Sequence, residues 1–371
     1  MTSVIVVPRQ VVLLLTADTG GGHRAATDAV RQALDRRYPG RFAAVTCDPL
    51  TGPEAPALVR RLCGRYGALV RRAPLLWAGI FHLTNAPAGH RLLQRLLVRV
   101  LTAPVAAALD RHRPVAIVAL HPLLVAPAAV ARTGRRIPLV TVITDLGTIH
   151  RTWWHRGADR VVTSGAPVRE TFRPGDRVAG GVRAALGIGP GRFVVLVMAG
   201  ADGSRGLEDW VRAVLAGPAD ADVIAVCGRN DRLRARLEAL AGSTKRRLVV
   251  TGFVQNPADW MRSADVLVTR AGPGIIAEAA ACGLPMLLAG HLPGQEAGNT
   301  ELVVAAGAGR PVRGRRQLQA AVRELSATPA ALQRMRRAAH RLARPQAGGA
   351  IADLLADTTT DADLEPERTP R

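Results

Sequence analysis

The chain of 371 residues carries 50 Lys and Arg against 29 Asp and Glu, a net charge of +21, with 48% hydrophobic and only 3% aromatic residues. That length exceeds one ordinary core and suits two domains of roughly 100 to 200 residues, and the hydrophobic share excludes a largely disordered chain. So few aromatic rings leave little for base stacking and no nucleic-acid-binding module is recognisable, so the charge is expected to meet a membrane surface or phosphate and no nucleic acid.

The charge excess is uneven: residues 1–176 carry 24 basic and 10 acidic side chains, a balance of +14, and the remainder 26 and 19, a balance of +7. Cys47, Cys63, Cys227 and Cys282 lack the spacing of a disulfide framework or a metal site, which points to a reducing compartment.

In chain order, the apolar run at residues 11–15 reads as a first strand. Pro8 and Arg9 interrupt what precedes it and no cleavage pattern follows, so a secretory leader is not expected. The run enters Thr19-Gly20-Gly21-Gly22-His23-Arg24 and then a helical pattern over residues 25–34. Glycines at a strand-to-helix turn let the backbone approach a ligand, and the helix start offers free N–H groups to a phosphate or sugar oxyanion. A tight turn with a capping role is the other reading of Gly20, Gly21 and Gly22. His23 is the candidate general base, because imidazole titrates near physiological pH and can take a hydroxyl proton.

A second strand is expected at residues 43–46. Residues 55–109 then hold no acid but eight arginines, at 60, 61, 65, 71, 72, 91, 95 and 99, interleaved with leucines, Trp77 and Phe81. Arg91, Arg95 and Arg99 alternate with apolar pairs at 92/93, 96/97 and 100/101, the pattern of a helix with one greasy and one cationic face. An anionic bilayer fits that helix, with Trp77 as a further membrane residue. A core-facing helix with a solvated basic edge fits equally. Residues 114–131 are uncharged, but three prolines and His121 break them where a spanning helix needs about 20 mainly apolar residues, and no transmembrane helix is expected.

Runs at 115–120, 138–143 and 160–163 continue the alternation of strand and helix that makes a parallel sheet. Gly, Pro and charged residues over 174–191 mark a boundary, after which runs at 193–198, 222–227, 247–251, 265–269 and 285–289 repeat the pattern, with a helix over 206–216. The expected organisation is α/β: a Rossmann-like domain over 1–176, a second over 177–343, and a terminal segment over 344–371 with a short helix at 350–356 and a disordered end. Ligands of such sheets bind beyond the carboxyl ends of the strands, so the two domains should share a deep cleft.

Gly200 and Gly203 form a turn after the first strand of the second half, and Phe253 with Val254 offers an apolar wall for a uracil. Gly272-Pro273-Gly274-Ile275 leads from a strand into a helix, the stronger of the two phosphate sites. Glu278, one turn into that helix, either accepts both hydroxyls of a ribose or merely complements the helix dipole. The loop His291 to Asn299 is crowded with groups that read sugar hydroxyls, as well as fitting a polar surface loop.

Taken together, TGGGHRA at 19–25, RRAPLLWAGIFHLTN at 71–85, HPL at 121–123, TDLGTIHRTWWH at 144–155, GFVQNPADWM at 252–261, AGPGIIAEAAACGLP at 271–285 and GQEAGN at 294–299 resemble the monogalactosyldiacylglycerol synthase and processive diacylglycerol glycosyltransferase family. That family is related to the lipid-linked N-acetylglucosaminyltransferase of peptidoglycan synthesis. The resemblance implies a GT-B fold, a UDP-hexose held by the second domain, diacylglycerol held by the first, inversion at the anomeric carbon, no metal or other cofactor, and peripheral attachment to the cytoplasmic face of the cell membrane. It implies that His23 is the base, Gly272 to Gly274 the diphosphate cradle, Glu278 the ribose ligand, Gln295, Glu296 and Asn299 the donor-site residues, and that Asp145 supports the acceptor site or orients His23. Two departures stand out: VVTSG runs directly into APVRE between residues 159 and 167, where the family usually has a strand, a helix and another strand, and alanines stand in the 199–203 turn where the family tends to have glycines. A transferase acting on another lipid-linked or soluble acceptor, or a sugar-nucleotide epimerase, shares the same features, and a basic nucleic-acid-binding protein is the distant alternative suggested by the charge alone.

Overall fold

Parallel strands covered on both faces must be apolar throughout, which is why the runs above stand out in the sequence. The computed structural model of the protein describes residues 9–18, 21–163, 165–174, 181–200 and 206–364. Its first half runs β1 (Gln10–Leu15), α1 (Gly21–Arg37), β2 (Phe42–Cys47), α2 (Ala57–Arg72), α3 (Pro74–Asn85), α4 (Pro87–His112), β3 (Ala116–Ala119), α5 (Val125–Ala131), β4 (Leu139–Val142) and β5 (Arg160–Val162). Among the described residues these strands form a five-stranded parallel sheet in the order β2-β1-β3-β4-β5.

The second half runs α6 (Gly181–Ala185), β6 (Phe193–Met198), α7 (Leu207–Leu215), β7 (Ala221–Val226), α8 (Asp231–Ser243), β8 (Leu248–Thr251), α9 (Pro257–Ser263), β9 (Val266–Thr269), α10 (Pro273–Ala281), β10 (Met286–Leu288), α11 (Ala297–Ala305), β11 (Gly309–Pro311), α12 (Gly314–Ala327), α13 (Pro329–Leu342) and α14 (Ala347–Leu364). Its six-stranded sheet has the order β11-β10-β9-β6-β7-β8.

Both orders reverse once, between β1 and β3 in the first sheet and between β6 and β9 in the second. A crevice opens where the strand order reverses, and ligands of open α/β sheets bind there. The turn after β1 therefore delivers His23 to one crevice, and the turns after β6 and β9 deliver Gly200 and Gly272 to the other.

Alternate residues of each strand feed opposite cores. Leu13, Leu15, Ile117 and Ala119 pack under α4 through Leu101, Val105 and Leu109. Val12, Leu14, Val118 and Val140 pack under α1 through Val30 and Leu34 and, unexpectedly, under α14 through Ile351, Ala352 and Leu355. The chain thus returns from the second half to cover the first. Asp353 accepts from Arg37 Nε at 2.6 Å and Tyr38 Oη at 2.9 Å, and Arg41 donates to the carbonyl of Ala356 and to Thr359 Oγ1. These contacts correct the expectation of disorder beyond residue 356: α14 continues to Leu364, with Thr359 only 2% exposed. Residues 365–371 lie outside the described residues.

In the second half Asp265, 3% exposed, joins Arg183 of α6 at 2.9 Å, Arg336 of α13 at 3.0 Å and the Val194 amide of β6. The carboxylate ties α6 and α13 to β6, a central strand of that sheet. Among the described residues one helix, α4, has the length and apolar composition to cross a membrane. Its second half is core of the first sheet, with Leu101, Val105, Ala108 and Leu109 buried, so α4 lies on the domain it helps to build.

Candidate active site

Helix α1 begins at Gly21, earlier than its apolar periodicity suggests, so Gly21 and Gly22 lie in the first turn and His23 is its third residue. Gly20 falls outside the described residues. His23 Nδ1 donates to the Leu120 carbonyl at 2.9 Å, with Thr144 Oγ1 at 3.3 Å. That bond puts the ring proton on Nδ1 and leaves Nε2 with a free lone pair, the tautomer a proton acceptor needs. Burial pushes the imidazole from its ordinary 6.5 to about 4, against the opposing pull of the Leu120 carbonyl. His23 is therefore neutral at physiological pH.

Two rings hold it: His121 at 4.6 Å and Trp153 at 6.2 Å between centroids. His121 Nδ1 accepts from the Leu123 amide and caps the short 3₁₀ turn Pro122–Leu124. Asp145 does not bond the imidazole directly. Its Oδ2 accepts from Trp153 Nε1 at 2.6 Å, and Leu120 holds His23 Nδ1, so of the two roles expected of Asp145 the direct orientation of the ring falls to Leu120. The physical reason is the strand end: the Leu120 carbonyl, one residue past β3, already faces the ring, and Asp145 follows the buried Thr144 into the cleft. Burial raises the Asp145 carboxyl to about 6, with the Trp153 bond opposing and the Glu296 charge adding.

Across the cleft, Gly272 and Gly274 open α10, with Gly272 at its cap and Pro273 in its first turn. The α10 amides face outward with the positive end of the helix dipole behind them. Ile275 packs on the core, its Cγ2 3.7 Å from where a Cβ on Gly272 would lie. Glu278 follows one turn later. Among the described residues nothing donates to its carboxylate, and burial raises it to about 7, with Arg169 pulling the other way. Arg169 has a buried Nε with no hydrogen-bond partner among the described residues and stacks over Phe172.

Gly200 lies just beyond β6 with φ +73°, while Gly203 lies outside the described residues. Phe253 is 51% exposed with Arg229 over its ring at 4.8 Å, and Val254 is turned into the core beside it.

The loop after β10 is more constrained than a surface loop. Glu296, 4% exposed, accepts from the Leu292 amide at 2.7 Å and pairs with Arg270 at 3.2 Å through the same Oε2. Gln295 Oε1 accepts from Tyr66 of α2 at 3.3 Å. Asn299, 1% exposed, differs from its expected place as a donor contact: Oδ1 accepts from the Gly147 amide at 2.8 Å and Nδ2 donates to the Ala271 carbonyl at 2.9 Å. With both ends of its amide engaged, it joins the two halves. The halves also meet at their glycine turns, a Cβ on Gly274 falling 3.4 Å from the Gly22 Cα. Leu120, Thr144, Trp153, Tyr66, Arg270 and Arg169 were not singled out from sequence. Leu120 acts through its backbone and leaves no side-chain signal, whereas Trp153 lies within TDLGTIHRTWWH at 144–155.

On the outer side of the first half, Arg91, Arg95 and Arg99 are exposed together with Leu92 at 69% and Leu96 at 56%, while Leu97 and Leu101 turn inward. Leu58, Leu62, Leu75, Leu76 and Leu83 of α2 and α3 are also exposed. Trp77, expected on that face, is turned in: its ring stands edge-on to Tyr66 at 5.0 Å and its indole nitrogen is buried. Trp154, 62% exposed, is the tryptophan that reaches the surface.

Two doubly wound halves with their switch points turned toward each other, one bearing a neutral, half-buried imidazole and the other a glycine-led helix start, define a glycosyltransferase of the GT-B fold. The solved structure of MurG from Acinetobacter baumannii shares the fold at a TM-score of 0.62 and 16% identity, with 94% of this chain and 100% of that chain covered. Residues 23–175 match the monogalactosyldiacylglycerol (MGDG) synthase family and residues 194–348 the glycosyltransferase family 28 C-terminal domain. Chloroplastic monogalactosyldiacylglycerol synthase 1 of Arabidopsis thaliana is 31% identical over 369 residues, covering 91% of this chain and 68% of that protein. A probable monogalactosyldiacylglycerol synthase of Glycine max is 30% identical over 389 residues, covering 96% and 73%. The chain belongs to the MGDG synthase family.

Proposed function

We propose that the protein transfers a hexose, galactose or glucose, from a UDP-sugar to the free hydroxyl of diacylglycerol, inverting the anomeric carbon, at the cytoplasmic face of a membrane. The observation that carries the reading is the free Nε2 of a neutral His23 beside the facing Gly22 and Gly274 turns. In this reading Nε2 takes the acceptor's hydroxyl proton as its oxygen bonds the anomeric carbon. The bond from that carbon to the diphosphate breaks, and its electron pair leaves with UDP. The α10 amides and Arg270 meet the charge on the departing diphosphate, and no resident cofactor is assigned. Glu278 takes the ribose hydroxyls and Phe253 with Val254 lies beside the uracil. Gln295 and Glu296 face the hexose.

The exposed leucines among the arginines of α2 to α4 are the surface assigned to an anionic bilayer, the solvent in which a diacylglycerol acceptor resides. A product assay with diacylglycerol in detergent micelles and separate UDP-galactose and UDP-glucose tests the reading. It expects a monohexosyl lipid from at least one donor. Transfer only to another lipid-linked or a soluble acceptor, or epimerisation without transfer, would overturn the diacylglycerol assignment.

A further inference from the structure

The loop proposed to meet the hexose is closed by the other half of the molecule. Gly294, with φ +83°, sits against α3, where a Cβ would come 3.2 Å from Phe81 Cδ1 and 3.5 Å from His82 Nε2. One residue on, Gln295 Oε1 accepts from Tyr66 Oη at 3.3 Å. The Tyr66 ring is itself fixed edge-on against Trp77. Helices α2 and α3, which carry the exposed arginines and leucines, therefore form the outer wall of the donor loop.

A glutamine amide has an acceptor end and a donor end, and the end facing a sugar decides which hydroxyl arrangement it satisfies. Here the acceptor end is engaged by Tyr66, which leaves the Nε2 hydrogens available to a ligand. Burial and the Glu296 and Asp145 carboxylates push the Tyr66 phenol upward from its ordinary range, with only Arg270 opposing, so it keeps its proton and donates at every working pH. The neighbouring Glu296 is equally fixed through Oε2.

We propose that Tyr66 is a specificity-determining positioning residue: by holding Gln295 Oε1 it presents the Gln295 amide donors to the hexose, so the acceptor-side half takes part in choosing the sugar. The proposal rests on the UDP-hexose reading above. A site built to hydrogen-bond a particular hydroxyl discriminates strongly against the analogue that cannot meet it, because its polar groups are then left unpaired.

The test is calorimetry of UDP, UDP-galactose and UDP-glucose with the wild type, Tyr66→Phe, Gln295→Ala and the double variant, alongside kcat/KM for each donor. Phenylalanine keeps the ring against Trp77 and removes only the hydroxyl. In Tyr66→Phe the affinity ratio between the two UDP-hexoses should fall by about three- to tenfold, the scale of one hydrogen bond, with UDP affinity unchanged. The substitution should add nothing in the Gln295→Ala background, as expected of two residues acting through one contact. Gln295→Glu, which removes the donor end while keeping the shape, should reproduce the loss and serves if Tyr66→Phe does not fold.

Loss of UDP and UDP-hexose affinity together, an unchanged ratio, a wild type with no preference, or an undiminished effect in the Gln295→Ala background would each overturn the proposal. A wild type that binds UDP-hexoses selectively but transfers none to diacylglycerol would sink the functional reading and leave the affinity ratio to judge Tyr66. A wild type that binds no UDP-hexose would sink both.

Discussion

Gly147 and Gly298 meet backbone to backbone across the cleft: a Cβ on Gly298 would come 2.8 Å from the Gly147 carbonyl carbon, and one on Gly147 would overlap the backbone of Gly298. The approach is locked by Gly298 N donating to Thr148 Oγ1 at 3.0 Å and Gly147 N donating to Asn299 Oδ1 at 2.8 Å. Neither glycine has a positive φ, so the need for glycine here is one of space between the halves.

Gly147→Ala should therefore hold the halves apart without damaging either core. Turnover is expected to fall by about 10²-fold, the effect of moving reacting groups by an ångström, while Tm changes little. Turnover measured together with small-angle X-ray scattering checks this. Wild-type activity at an unchanged radius of gyration would mean that this contact does not set the working geometry.

For His23→Ala, turnover should drop by roughly 10² to 10⁴-fold, the usual contribution of a positioned general base, with UDP affinity retained. Because burial lowers the imidazole to about 4, the base stays competent far below the ordinary 6.5 and loses activity only as pH falls through about 4. The acidic limb of kcat/KM that disappears in the variant should lie there. A limb near pH 6 belongs to Asp145, raised to about 6, and should vanish in Asp145→Asn instead. A His23-dependent limb at 6.5 would show that the free enzyme holds the ring in a wetter site.

Glu278 gives a pH effect of the opposite sign. Its folded pKa of about 7 lies above the 4.5 of an ordinary glutamate, so the ionised form costs stability. That cost is absent below the unfolded pKa, grows as pH rises, and is fully present above about 7. Glu278→Gln should raise Tm at pH 8 and leave it nearly unchanged at pH 4.5, while weakening UDP binding at pH 8. Calorimetry with UDP and a thermal melt at each pH decide it. An equal Tm shift at both pH values would remove the ionisation argument, and unchanged UDP affinity would remove the ribose role.

Membrane attachment should combine charge and apolar insertion. Replacing Arg91, Arg95 and Arg99 by Gln should reduce sedimentation with anionic vesicles and make the remainder less sensitive to salt, since exposed charges are screened beyond about 8 Å at physiological ionic strength. Leu75→Asp with Leu76→Asp should abolish the salt-resistant part, those leucines being 80% and 57% exposed. Equal binding to neutral and anionic vesicles by the wild type would refute the role of the arginines. Trp77→Ala is expected to disturb the Tyr66 wall more than vesicle binding, because its indole is turned inward.

The strand series and the doubly wound class were legible in the sequence because parallel strands buried on both faces leave uninterrupted apolar runs, and the glycine turns were legible because they follow those runs directly. The short β11 escaped notice: three residues, Gly309–Pro311, at a sheet edge carry no apolar run. The apolar stretch in α14 could be read, but its destination could not, since residues 350–356 match any exposed sheet face and only the assembled first half offers α1 as a partner. Likewise the composition of α2 to α4 marks an amphipathic surface without saying which tryptophan is turned in, because a helix face acquires its inside only from what packs on it.

The sequence by itself determined the repertoire of the cleft: an imidazole after one glycine turn, a carboxylate after another, and an amide-rich loop. Only the tertiary structure decided their roles, because those depend on partners distant along the chain. Leu120 sets the tautomer of a ring 97 residues earlier, Asn299 joins the halves through an amide 152 residues away, and Tyr66 reaches Gln295 across 229 residues. Local sequence specifies which groups arrive at the end of each strand; the meeting of two separately built sheets specifies which of their hydrogen-bonding ends remain free for a ligand.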